Sequence, residues 1–118
     1  MPVAALMAAL PFPPGRGWTA GEPRATPTGR SLEGVYRDSY CVCDIGEGND
    51  GELAALLRQT LDQLEERPAA LLDLRAQGAT FGFYVTWIPD GDSGETFDAD
   101  LLARMAGLGI ALGLNVLP

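Results

Sequence analysis

From Ala79 to Ile88 large apolar side chains alternate with small or polar ones. Ala79, Phe81, Phe83, Val85 and Trp87 share one face; Thr80, Gly82, Tyr84, Thr86 and Ile88 share the other. A period of two is that of a strand, and the greasier odd face must be buried. Ile110 to Leu117 repeats the habit, with Ile110, Leu112, Leu114 and Val116 inward and Ala111, Gly113 and Asn115 outward. Val35 to Ile45 reads as a third strand. Cys41, Cys43 and Ile45 line one of its faces, and Tyr36, Tyr40 and Val42 the other, with Asp38 and Asp44.

Helices must cover these apolar faces. Leu53, Leu56, Leu57, Leu61 and Leu64 recur at helical spacing to about Glu66, opened by Asn49 and Glu52 as a capping box. Pro68 suits the first position of another helix, running through Leu71, Leu72 and Leu74 to a stop at Gly78. Asp98 is a natural N-cap, with Phe97 and Leu102 as a hydrophobic staple. Leu101, Leu102, Met105 and Leu108 form the buried stripe of that helix, and Gly109 ends it. Near the N-terminus Val3, Leu6, Met7 and Leu10 mark a short helix between Pro2 and Pro11. The residues from Phe12 to Gly34, rich in proline and glycine, read as one long loop. The pattern predicts a single α+β domain over residues 1–118. It is a two-layer sandwich with helices on one face of a small mixed or antiparallel sheet, ferredoxin-like in flavour.

Composition narrows the chemistry. All eight basic residues are Arg, with no Lys and no His, against sixteen acids, for a net charge of −8. That removes Ser–His and Cys–His pairs, imidazole ligands, Schiff-base lysine and the lysine of a phosphate loop. An acidic chain lacks the basic footprint a nucleic acid requires. Cys41 and Cys43 lie two apart on one strand face. They are expected to be reduced packing residues without metal, which fits a cytoplasmic protein. The apolar opening from Met1 to Leu10 has no basic flank and is too short to span a bilayer, so no membrane is expected.

Asp90-Gly91-Asp92-Ser93-Gly94-Glu95 resembles the start of a calcium loop. Leu101 stands where the bidentate glutamate belongs, and turn chemistry accounts for the residues without a metal. No carboxylate pair stands out as a hydrolytic acid and base, and Asp62 to Glu66 reads as a solvated helix face. The segment from Gly17 to Arg24 carries more information. Trp18, Glu22 and Arg24 sit together on a loop, where binding residues concentrate. Trp18 is expected to be an anchor, largely buried, that holds Glu22 and Arg24 in place.

The stretches Leu10 to Trp18 and Ala20-Gly21-Glu22-Pro23-Arg24 resemble the bacterial domain-of-unknown-function family 4279. The similarity continues through Leu32 to Tyr36, Ser39-Tyr40, Phe97 to Leu102 and Leu108 to Val116. The resemblance supports fold and boundaries but implies no activity, since the family has none assigned. Two departures stand out. Relatives open with a strand before the first helix, for which this chain has no room, and position 41 is Cys where relatives often carry a large aromatic. A sheet lacking its first strand would leave a gap, close up or pair across an edge with a second copy; a start upstream of Met1 is the expected explanation.

Two functional expectations follow. The first is a non-enzymatic binding or protein-interaction module, an immunity-like role being one form. Its partner, or a second copy of the chain, would meet the open sheet face or an unpaired strand edge. The second is a small-molecule sensor or small enzyme with its site near the Trp18–Arg24 loop. The residues that would carry either are Trp18, Glu22, Arg24, Tyr36, Arg37, Tyr40 and Tyr84, with no cofactor.

Overall fold

The computed structural model describes residues 2–13, 15–49, 51–89 and 91–117. Asp90, the first residue of the calcium-like segment, and Met1, where the start is in question, lie outside the described residues. The protein is α+β, with helices and small sheets both antiparallel and parallel. Its chain divides into two compact units, residues 1–45 and 46–118.

The second unit contains helices α2 (Leu53–Glu65), α3 (Pro68–Ala76) and α4 (Ala99–Leu108). Its strands, which we designate βA (Phe81–Trp87) and βB (Ile110–Val116), pair in parallel over seven residues, from Phe81 opposite Ile110 to Trp87 opposite Val116. They are parallel because a helical crossover, α4, returns the chain to its starting end. The core comprises Leu57, Leu61 and Leu64 of α2, Leu71 and Leu74 of α3, and Leu101, Met105 and Leu108 of α4. These meet Phe83 and Ile110 from the strands.

Local signals set the α4 ends as expected. Asp98 accepts the Leu101 N–H at Oδ1 (2.8 Å), and Gly109 closes the helix at φ +72°. The Leu101 N–H, with help from Arg58 at 2.6 Å, holds the Asp98 carboxyl below the usual range against the opposing pull of desolvation. Other local expectations need correction. Leu102, placed in the buried stripe, is exposed, as is Leu72 of α3. At α2, Asn49 does not cap the helix. Its Nδ2 donates to Glu52 Oε1 (3.1 Å), and Glu52, the N-cap residue, makes no side-chain cap bond. The cap arrives from 41 residues away, where Glu95 Oε1 accepts the Ala54 N–H at 2.9 Å. Asp62, Glu65 and Glu66 are exposed, as expected of a solvated helix face, and two of them also make ion pairs. Asp62 and Glu65 both bind the Arg104 guanidinium, tying α2 to α4 and holding the Arg104 pKa above its ordinary value.

Replacing Glu95 by Ala leaves the Ala54 N–H without its acceptor and should lower stability by about 1 kcal/mol, the usual worth of an N-cap. Glu95→Gln, which keeps the acceptor, should recover most of the loss. Chemical denaturation of the three proteins checks this, and equal loss in both variants would contradict it.

The first unit begins with α1 (Val3–Ala9). The expected long loop is instead folded. Four short strands, which we designate β1 (Gly17–Trp18), β2 (Pro23–Ala25), β3 (Ser31–Val35) and β4 (Tyr40–Cys41), form two antiparallel pairs. In β1–β4, Gly17 lies opposite Cys41 and Trp18 opposite Tyr40; in β2–β3, Pro23 lies opposite Val35 and Ala25 opposite Ser31, with a register irregularity between. The expected strand Val35 to Ile45 is therefore broken at residues 36–39, and it does not join the βA–βB pair. Nor do the strands flank a gap: βA and βB lie side by side.

Gly17 shows why this unit needs glycine. A Cβ there would sit 2.8 Å from Met7 Cε, Val3 Cγ2 and the Tyr40 carbonyl oxygen at once. Gly17→Ala must therefore push α1 off the β1–β4 pair, a small-to-large change of the kind that costs about 1–3 kcal/mol. Faster exchange of the Val3 amide, which donates to Thr19 Oγ1 at 3.0 Å, should report the displacement. Unchanged exchange would contradict it.

Candidate functional site

Three of the residues singled out in the first unit, Trp18, Tyr36 and Tyr40, form one aromatic stack. Trp18 is held opposite Tyr40 by the β1–β4 register, and their ring centroids lie 4.6 Å apart. Tyr36, at the start of the turn after β3, stacks on Trp18 nearly parallel at 4.3 Å. The Arg16 guanidinium lies 4.9 Å from the Trp18 ring centroid. Trp18 is half-buried rather than largely buried, and no described residue of this unit is fully buried.

Polar groups around the stack are engaged with their own backbone. Tyr36 Oη donates to the Ala25 carbonyl (2.9 Å) and accepts the Ala25 N–H (3.1 Å). Glu22 Oε1 accepts the Thr19 N–H at 2.7 Å, and Arg24 Nη1 donates to the Glu33 carbonyl at 3.2 Å. Arg37 is exposed in the turn before β4. These bonds fix the loop and direct the Glu22, Arg24 and Tyr36 polar ends at the chain itself. Cys41 and Cys43 are free and half-buried. Burial, with a smaller contribution from Cys43, pushes the Cys41 thiol pKa up, away from the reactive thiolate.

Tyr84 belongs to the second unit, on the outer face of βA–βB. That face pairs Gly82 with Ala111, Tyr84 with Gly113 and Thr86 with Asn115. Its floor is made of small residues, and Tyr84 is the large side chain on it, 77% exposed. A Cβ at Gly113 would lie 3.2 Å from Tyr84 Cδ2 and 3.6 Å from Cε2, so the ring rests across the glycine. The Gly113 position thus lets an aromatic ring lie on the strand while its upper side meets solvent. The period-two alternation placed Tyr84 on this face; the cross-strand glycine opposite it emerges only from the register.

Charge is divided unevenly between the units. Residues 1–45 hold four Arg and four acids, whereas residues 46–118 hold four Arg and twelve acids. The whole net charge of −8 therefore belongs to the second unit. No family model, curated protein or solved structure matches the chain. Among the described residues, no helix is long and apolar enough to cross a membrane.

Proposed function

We propose that this chain is a non-enzymatic protein-interaction module that meets its partner through the outer face of the βA–βB pair. The observation that carries this reading is Tyr84, 77% exposed on a parallel pair of strands. Parallel strands are ordinarily covered on both faces, and here the helices account for one. An amphipathic ring on a small-residue floor suits a protein contact, since tyrosine supplies contact area at little conformational cost. The free thiols Cys41 and Cys43 support placing the protein in a reducing compartment such as the cytoplasm.

Site-specific photocrosslinking in the source cells tests the reading. A benzophenone side chain at position 84 should give a discrete crosslinked protein that the same group at exposed Gln63 of α2 does not. Indistinguishable patterns from the two positions would overturn it.

A further inference from the structure

Strands βA and βB each have one paired edge and one open edge, since their sheet has only two strands among the described residues. Proteins usually protect an open edge with a charge, a proline, a bulge or a very short strand. Neither strand has such a device. Phe81–Trp87 and Ile110–Val116 contain no charged residue and no proline, and their seven-residue register is unbroken.

The βB edge is the more open of the two. Its inward series runs from buried Ile110 through half-buried Leu112 to Leu114 at 44% and Val116 at 57% exposure. A ten-residue helix such as α4 is ~15 Å long and a seven-residue strand ~23 Å, so that helix cannot cover the strand to its end. The C-terminal half of βB therefore offers unpaired backbone and apolar side chains together.

Charge distinguishes the possible occupants. Because the strands are parallel, the segment leaving βA starts from the same end at which Leu114 and Val116 are exposed. This segment carries Asp92, Glu95, Asp98 and Asp100, and no Arg occurs between Arg75 and Arg104. Two of this unit's four Arg are already engaged, Arg58 with Asp98 and Arg104 with Asp62 and Glu65. A second copy would bring the same surplus of negative charge to the edge, whereas a basic segment would neutralise it.

We propose that the partner contributes an extended basic segment that adds as a strand to the open edge of βB. The proposal rests on the interaction-module reading and specifies its ligand. Main-chain hydrogen bonds would supply affinity, and alternating apolar residues would lie beside Leu114 and Val116. The Arg or Lys between them would lie on the opposite face, drawn by the net negative charge of the unit, with those at the C-terminal end of βB nearest the acidic segment.

The test uses the full chain and three labelled heptapeptides, followed by fluorescence anisotropy at physiological salt. One alternates arginine with valine, one glutamate with valine, and one arginine with glycine. The arginine–valine peptide should bind at least tenfold more tightly than either other peptide and should slow amide exchange across residues 110–117. Val116→Lys, and independently Leu114→Lys, should weaken its binding at least tenfold with an unchanged melting temperature. The exchange result stands even if one variant folds poorly.

Equal binding of the arginine–glycine peptide would show bulk charge attraction and overturn strand addition. Equal binding of the glutamate–valine peptide would overturn the basic character. A dimer by light scattering, dissociated by Val116→Lys, would assign the edge to a second copy and also overturn the proposal. If the arginine–valine peptide fails to bind while position 84 still crosslinks selectively, strand addition is wrong and the interaction-module reading survives. Loss of selective crosslinking at position 84 is the separate failure of that reading.

Discussion

Leu61→Ala should destabilise the second unit by about 3–4 kcal/mol, near the middle of the range for burying an alanine where a leucine was. Leu61 is fully buried at 0% exposure on α2, in a core where α2 and α4 also contribute Leu57 and Leu101. Removing its branched end takes away apolar burial and leaves a void that the surrounding leucines can only partly fill. A unit of this size is stable by only about 4–10 kcal/mol, so the loss is a large share of the total. Leu72→Ala is the matched control. Leu72 is 45% exposed on α3, and its truncation should cost less than 1 kcal/mol, as surface changes do. Denaturant titration followed by Trp87 fluorescence, in a Trp18→Phe background, reads this unit alone. Equal midpoints for the two leucine variants would mean that the core is not where burial places it.

The contrast between Leu61 and Leu72 also shows what an amino-acid pattern can convey. Helical spacing located both helices, because that information is local to each segment. It did not establish which leucine meets a neighbour, because that depends on packing between elements. The same division runs through the chain. Asp98 and Gly109 mark the ends of α4 within a turn of themselves and were legible. Glu95 caps a helix 41 residues distant, and the residues around it resemble an ordinary turn, so the cap was not. Alternation assigned Tyr84 to the outer face of βA, but could not show that βB would run beyond the helices and expose Leu114 and Val116. The loop from Phe12 to Gly34 proved the hardest to read. Its strands are only two to five residues long; β1 is half-buried, β2 mostly exposed and β3 entirely exposed, so they carry no period-two apolar signal. Trp18, Glu22, Arg24, Tyr36 and Tyr40 were singled out as binding residues, and what the fold shows of them is a stack and its local hydrogen bonds.

Trp18→Ala should cost the first unit about 3 kcal/mol. Stacking on Tyr36 and on Tyr40 is worth about 0.5–1.5 kcal/mol for each pair beyond the area it buries. The Arg16 contact adds about 0.5–1 kcal/mol at an exposed site. Half-burial of the indole keeps the total at the low end of the range for a buried tryptophan, for which truncation costs about 3–5 kcal/mol. No fully buried side chain elsewhere in the unit's described residues can compensate, so losing the stack should free both strand pairs it links. The sensitive readout is amide exchange at Gly21 and Tyr36, whose N–H groups donate to the Tyr36 and Glu22 carbonyls at 2.8 and 3.0 Å. Both should exchange much faster in Trp18→Ala, while Trp18→Phe, which retains a ring to stack on Tyr36 and Tyr40, should stay closer to the parent. Unaltered exchange in Trp18→Ala would show that the backbone pairing holds this unit without the indole, and that the stack is free to serve as a binding surface instead.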